Sequence, residues 1–314
     1  MVGIIVMMVL GLVLPIPTEA IGAIRAVSNG AIFVLFLLYG ARLSTREVVD
    51  GMKNVRLQGA IIASTFVLFP ILGLITQSLS TPFLGETLAA GLLYVALLPS
   101  TVQSSVAFVS VARGNIAGAI TAATVSNLIG MIATPLLVLW LMGASGSMGW
   151  ANIRDILLLL LLPFIVGQVA QPWFGDWVRA NRRFTNLWDK GTILAVVLVS
   201  VVSATDAGVW ETVSGWMIVW VGVISVVLVF IVLGATWWGG KLLGLNRGDK
   251  IALLMCGSKK SMATGLPMAN VLFSPAVVGP IVVPLIIFHQ LQLMICAWIA
   301  QRMGARPEGV GAST

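Results

Sequence analysis

Two adjacent lysines, Lys259 and Lys260, stand within a stretch that otherwise has the apolar character of a membrane span. An ionisable side chain at membrane depth is costly, so it usually faces a cavity, a transport pathway or a partner, and it marks a candidate functional site. One ammonium could take the place of a bound cation, and the other could face an anionic substrate. The alternative interpretation is that both side chains reach out to the membrane interface.

The composition indicates a polytopic membrane protein. Of the 314 residues, 59% are hydrophobic and 9% are charged, whereas a soluble domain carries about 25% charged residues. Apolar runs of roughly 20 residues predict transmembrane helices. We place ten of them at residues 2–14, 22–41, 57–79, 86–112, 115–142, 153–171, 191–205, 214–238, 250–273 and 275–303.

The distribution of basic residues tests this topology. With ten spans, the even-numbered loops and both termini share one side, and 14 of the 18 Lys and Arg residues fall there. Only Arg25 and Arg154 fall on the other side. By the positive-inside rule, both termini are predicted to be cytoplasmic. The net charge of +7 therefore reflects membrane topology rather than nucleic-acid binding, and the oligomeric state stays open.

Ten spans divide into two sets of five, at residues 1–142 and 143–314, and an odd number per set requires the two repeats to be inverted. The fourth and ninth spans share one property, because polar residues interrupt each apolar run, at 98–105 and at 257–261. Paired interruptions in corresponding helices predict the binding site of a secondary transporter. The predicted fold is an all-α membrane protein with two inverted five-helix repeats.

Interrupted helices expose unpaired carbonyl groups at one end and unpaired amide groups at the other. Carbonyl ends attract cations and amide ends attract anions. The side chains at these interruptions are therefore candidates for binding a substrate or an ion. They are Thr101, Gln103, Ser104 and Ser105 in the fourth span, and Ser258, Lys259, Lys260, Ser261 and Thr264 in the ninth.

Three polar residues on neighbouring spans complete the candidate set. Asn127 lies on a polar stripe of the fifth span, and either a site role or a contact between helices fits it. His289 is the only histidine of the chain and is followed by Gln290 in the tenth span. His289 could relay protons, and it could equally satisfy a helix contact.

Enzymatic interpretations do not fit the sequence. The only histidine has no acidic partner within a span, so a hydrolase triad is not expected. Clusters of metal-binding residues and a phosphate-binding loop motif are absent from the sequence. We therefore expect no enzymatic activity and no cofactor other than Na⁺ or H⁺ as a coupling ion.

The segments 97–105, 112–115, 134–135, 257–265 and 288–290 resemble the bile acid:sodium symporter-like family. They are most similar to the branch that contains bacterial sodium-dependent transporters and the seventh vertebrate member of solute carrier family 10. The resemblance covers nearly the whole chain. It implies broken fourth and ninth helices that cross in a core domain, a panel domain beside it, alternating access, and a bacterial inner (plasma) membrane.

The sodium ligands of the family do not all carry over. The Ser-Asn pair of the fourth helix falls on Ser104 and Ser105, near which a sodium ion could still bind. The ligands of the fifth helix fall near Ala119 and Ala123, which lack side-chain oxygens. The glutamate of the ninth helix is missing from residues 258–262, where lysines stand instead.

The leading hypothesis is a secondary active transporter of a small organic anion, in which Lys259 or Lys260 replaces a bound cation and protons or residual sodium drive uptake. A second hypothesis is a membrane regulator or sensor of ion homeostasis that keeps the same scaffold without transport. A third is a passive channel, which would show neither saturation nor counterflow.

Overall fold

The computed structural model describes residues 2–13, 18–42, 54–143, 154, 157–206, 208 and 213–305. Every regular element within these ranges is helical. Two π-helical turns, Ser64–Leu68 and Leu157–Leu161, precede α4 and α7. The helices are α1 (Val2–Val13), α2 (Thr18–Arg42), α3 (Val55–Ala63), α4 (Phe69–Leu97), α5 (Gln103–Val111), α6 (Ile116–Leu141), α7 (Leu162–Ala180), α8 (Arg182–Asp206), α9 (Gly215–Leu242), α10 (Arg247–Gly257), α11 (Met262–Leu272) and α12 (Pro275–Gly304).

The prediction of an all-helical membrane protein is confirmed. Within the described ranges, seven helical stretches are long and apolar enough to cross a membrane. One of them, Val55–Leu97, has 43 residues and joins α3, the first π-helical turn and α4. It bends at Gly85, whose φ of 76° and ψ of 164° are readily adopted only by glycine.

Two observed boundaries differ from the predicted ones. Helix α8 begins at Arg182, nine residues before the predicted start of the seventh span, because hydropathy does not register the charged first turns of a helix. The interruption of the fourth span is shorter than predicted, since α5 begins at Gln103. Gln103, Ser104 and Ser105 are therefore helical residues and not part of the break.

The helices pack as two groups. Helices α1, α2, α7 and α8 form one group, and α3–α6 with α9–α12 form the other. In the first group, Arg25 of α2 donates a hydrogen bond to Ser203 of α8 at 3.1 Å. In the second, the Tyr94 hydroxyl of α4 donates to the Gly265 carbonyl of α11 at 2.7 Å. Helix α8 also packs against α11 and α12, so it connects the two groups.

Helices α2 and α7 approach each other closely at two glycines. A Cβ atom at Gly40 would overlap the Phe164 carbonyl oxygen, and one at Gly167 would overlap the Leu37 carbonyl oxygen. Gln168 of α7 donates to the Gly40 carbonyl at 3.0 Å. Small residues allow this backbone contact between membrane helices.

We expect Gly40→Ala and Gly167→Ala each to destabilise the protein by about 1–3 kcal/mol, because the added methyl meets backbone that cannot rotate away. Thermal unfolding of the purified protein in detergent measures the loss. Gly30→Ala is the matched control, since a Cβ there has nothing within 4 Å on the same helix α2. Equal midpoints for Gly30→Ala and Gly167→Ala would contradict the close α2–α7 contact.

Candidate functional site

The two predicted interruptions are both present. The chain leaves α4 after Leu97 and enters α5 at Gln103, and it leaves α10 after Gly257 and enters α11 at Met262. Leu98 is extended, with φ −76° and ψ 156°, because a residue before proline is disfavoured in the helical region and Pro99 follows it. We call residues 98–102 the first break and residues 258–261 the second break.

The two breaks bind each other directly. The Ser261 amide donates to the Pro99 carbonyl at 2.8 Å. Ser100 donates its hydroxyl to the Cys256 carbonyl, and Ser105 donates to the Met255 carbonyl at 3.2 Å. The carbonyls at the end of α10 thus accept hydrogen bonds from Ser100 of the first break and Ser105 of α5, as the absence of water in a membrane interior requires.

Lys260 extends from the second break to the carbonyl end of the first half-helix. Its side chain is fully buried, and its Nζ donates to the carbonyls of Thr65, Ala96 and Leu98 at 2.8, 2.8 and 2.7 Å. The same nitrogen lies 4.1 Å from the centroid of the Phe69 ring. Three acceptors match the three N–H donors of an ammonium group. We call the three carbonyls and the ring the carbonyl cage.

Each cage carbonyl lacks its ordinary helical partner. At the π-helical turn, the Phe69 amide donates to Ser64 rather than to Thr65, and the next candidate donor is Pro70, which has no N–H. The Thr65 carbonyl is therefore left without a donor in its own helix.

The other two carbonyls are freed by the first break. The Ser100 amide, which would bind the Ala96 carbonyl in a continued helix, donates to Ser126 at 3.0 Å instead. Leu98 precedes Pro99 and lies outside the helix. The cage therefore follows from two prolines at fixed positions, Pro70 and Pro99.

The backbone of Lys260 is bound by α12. Gln292 accepts from the Lys260 amide at 2.8 Å and donates to the Lys260 carbonyl at 2.7 Å. His289 Nδ1 lies 2.8 Å from Gln292 Nε2 and 3.3 Å from the Lys260 carbonyl. The fully buried Gln292 therefore holds the second break, whereas the predicted Gln290 is half-buried with a buried Oε1 atom that has no partner among the described residues.

Lys259 has a different environment from its neighbour. It is also fully buried, so neither lysine reaches the interface. Among the described residues its Nζ has no hydrogen-bond partner, and it lies 4.2 Å from the centroid of the Phe108 ring. Within the described part of the chain, the two adjacent lysines are thus distinguished by their acceptors, three for Lys260 and none for Lys259.

Asn127 connects α6 to both breaks. Its amide nitrogen donates to the Ser100 carbonyl at 2.7 Å and to the Ala123 carbonyl at 2.9 Å. Its oxygen accepts from the Thr264 hydroxyl at 2.9 Å, and Thr264 lies 3.0 Å from the Ser261 hydroxyl. Asn127, Ser261 and Thr264 therefore form one hydrogen-bonded group.

The remaining predicted residues lie at the start of α5 or bind their own helix. Ser104 donates to Thr101 at 2.9 Å, and Thr101 lies 2.9 Å from the Ser105 hydroxyl. Gln103 is exposed and donates to Asn186 of α8 at 3.4 Å. Ser258 donates to the Leu254 carbonyl of its own helix.

The polar groups at the predicted sodium position form hydrogen bonds within the protein. Ser104 and Ser105 donate their hydroxyls to protein groups, and the carbonyl cage holds the Lys260 Nζ atom. Within the described ranges, no group of three or more His, Cys, Asp and Glu side chains could hold a metal.

A buried carboxylate outside the predicted set joins three helix starts. Asp249 accepts from the side-chain amides of Asn54, Asn115 and Asn246 at 2.9, 2.6 and 3.0 Å. These asparagines cap α3, α6 and α10. The sequence shows only that each asparagine precedes a helix, and that position is typical of a cap.

We expect Asp249→Ala to destabilise the protein by about 1–3 kcal/mol, because it removes a charged acceptor shared by three amides. Asp249→Asn keeps one acceptor oxygen and is expected to lose less. Thermal unfolding in detergent measures both, with Asp206→Ala as the control at an exposed position of α8. A smaller loss for Asp249→Ala than for Asp206→Ala would contradict this role.

Interrupted helices that meet inside an apolar helical bundle are typical of integral membrane transporters. A model of the SBF-like CPA transporter family matches residues 1–305. The chain belongs to this family, as its resemblance to bile acid:sodium symporter-like proteins predicts, and it is a transporter homologue rather than an enzyme.

Relatives are found in bacteria and in vertebrates. The protein PA2026 of Pseudomonas aeruginosa is 44% identical over 289 residues, which cover 91% of this chain and 87% of that protein. YfeH of Escherichia coli (strain K12) is 41% identical over 288 residues, with 91% and 86% covered. Sodium/bile acid cotransporter 7-B of Xenopus laevis is 27% identical over 307 residues, with 94% and 88% covered.

Proposed function

We propose that this protein is a secondary active transporter that moves a small organic anion across a bacterial inner (plasma) membrane by alternating access. The observation that carries the proposal is the direct hydrogen bonding between the two breaks. Helices interrupted at the membrane midplane are typical of secondary transporters, in which they form the substrate site.

We further propose ten spans in two inverted repeats, residues 1–142 and 143–314, with both termini cytoplasmic and with crossing broken helices beside a panel domain. The stretch Val55–Leu97 supports this count, because its 43 residues extend about 65 Å as a helix, twice the roughly 30 Å of a bilayer core. Its bend at Gly85 separates the third span from the fourth. The first span is α1, and the ninth is formed by α10 and α11 together. Each of these helices is too short to be counted as a span by itself.

The anion is proposed to bind at the start of α5. Helix N-termini favour anions, and Thr101, Gln103 and Ser104 add hydroxyl and amide donors there. Gln103 is exposed and reaches Asn186 of α8, so this point lies where the two helix groups meet. The named activity of the Xenopus relative, sodium/bile acid cotransport, supports an organic anion as the substrate class.

The experiment begins with a thermal-shift screen of organic anions on the purified protein, with and without sodium and at several pH values. The best ligand is then loaded into proteoliposomes. The proposal predicts saturable uptake and counterflow, in which internal unlabelled ligand accelerates entry of labelled ligand. Uptake without saturation or counterflow would identify a passive channel instead.

One observation favours a second candidate, a non-transporting regulator on the same scaffold: Lys260 fills the carbonyl cage without any exchangeable ion. Gln103→Cys with Asn186→Cys, joined by a short bifunctional thiol reagent, would hold α5 and α8 together. A transporter loses uptake on crosslinking, whereas a regulator still restores a deletion strain. The single variant Gln103→Cys with the same reagent is the control.

A further inference from the structure

We infer that Lys260 is a built-in cation, whose ammonium occupies a monovalent-cation site formed by the carbonyls of Thr65, Ala96 and Leu98 and by the Phe69 ring. The protein therefore requires no metal ion at this place. Shortening Lys260 would open the site to a small cation from solution.

The carbonyl cage has the chemistry of a monovalent-cation site. Backbone carbonyl oxygens replace the hydration shell of Na⁺ or K⁺ in protein sites. Thr65, Ala96 and Leu98 converge on one point at 2.7–2.8 Å, and the Phe69 ring presents its negative face at 4.1 Å. The Ala96 carbonyl belongs to the last turn of α4, where the helix dipole is negative, and Leu98 directly follows that turn.

The cage holds its positive charge without a carboxylate. In the ranges that the structure describes, Lys260 makes no ion pair, and its three bonds go to neutral carbonyls. A neutral amine has two N–H groups and would leave one carbonyl without a donor in a site that excludes water, whereas an ammonium satisfies all three. The site is thus complete with one positive charge.

Only one consequence of the inference rests on the proposed function, namely which ion is coupled to transport. If the chain transports an anion, no sodium ion is exchanged at the carbonyl cage during the cycle. Cation binding itself is measured without any substrate, so a failure of transport and a failure of this inference give different results.

The test compares thermal unfolding of purified wild type and Lys260→Ala in chloride salts of choline, sodium, potassium, ammonium and methylammonium at equal ionic strength. The wild-type midpoint should be the same in every salt. The variant should unfold earlier in choline and regain stability, with saturation, in at least one small cation. A cation at a hundred times its Kd raises the midpoint by roughly 3–5 °C.

Lys259→Ala is the matched control, because this neighbouring buried lysine has no acceptor among the described residues. Its midpoint should not depend on the small cations. Lys260→Met fills the same space without charge and should be unstable in all five salts.

A folded Lys260→Ala protein that is indifferent to every cation would overturn the inference, as would equal rescue of Lys259→Ala. If Lys260→Ala does not fold, nitrogen-15 NMR of lysine-labelled Lys259→Ala protein decides the question. The inference requires the Lys260 Nζ signal of a protected ammonium, and a neutral amine or a rapidly exchanging signal contradicts it.

Discussion

Replacing Gln292 with leucine is expected to destabilise the protein by about 2–6 kcal/mol and to abolish transport. The substitution leaves the buried amide and carbonyl of Lys260 without their main partner, and each unsatisfied buried group costs about 1–3 kcal/mol. The second break would then lose its attachment to α12, and the Lys260 side chain would lose its alignment with the carbonyl cage. Thermal unfolding in detergent and uptake into proteoliposomes measure the two effects.

Gln290→Leu is the matched control on the same helix. Gln290 is half-buried, and its Oε1 has no partner in the described ranges. Gln290→Leu breaks no hydrogen bond of that oxygen, so it should change the free energy of unfolding by only about 0.5 kcal/mol. Gln292→Glu is a second comparison, because it keeps the acceptor and loses the donor. Equal stability of Gln290→Leu and Gln292→Leu would show that Gln292 does not hold the break.

The second large effect is expected from Asn127→Leu, which should lower the initial rate of uptake at least tenfold. Asn127 donates to the first break at Ser100 and accepts from Thr264 of α11, so leucine removes the link that α6 makes between the two interrupted helices. A loss of about 1.4 kcal/mol in the free energy of substrate binding corresponds to a tenfold weaker affinity. Uptake of the ligand found in the screen is the measurement.

Thr121→Val provides the control for Asn127, since Thr121 lies on α6 and donates only to the Ala117 carbonyl of its own helix at 3.2 Å. Asn127→Asp should be intermediate, because it still accepts from Thr264 but presents a negative charge to the Ser100 carbonyl. Uptake by Asn127→Leu protein at the wild-type rate would show that Asn127 has no role in the site.

The fold class and both breaks were predictable because they depend on local chemistry. Long apolar runs mark helices in lipid, and Pro99 disfavours helical geometry at Leu98 wherever the chain lies. The early start of α8 was missed because Arg182 and Lys190 are typical of a loop by composition, although they lie within one helix.

The sequence singled out both lysines as candidate residues but not the contacts that distinguish them. Lys259 and Lys260 are equivalent in sequence, and only the tertiary structure gives one of them three acceptors. Thr65 lies 195 residues from Lys260, and Asn54 lies equally far from Asp249, so no local pattern reveals these pairs. Pro70 alone indicates a free carbonyl at Phe66, four residues earlier, and only the π-helical turn makes Thr65 the carbonyl that lacks a donor.

The π-helical turn at Ser64–Leu68 has a mechanical consequence. It holds one residue more than an ordinary turn, and conversion to a regular helix would advance the chain beyond it by one residue, about 1.5 Å along the axis. That advance would give the Thr65 carbonyl the Phe69 amide as its partner and withdraw it from Lys260. The winding of the helix at this turn is therefore coupled to one of the three hydrogen bonds that hold the Lys260 side chain.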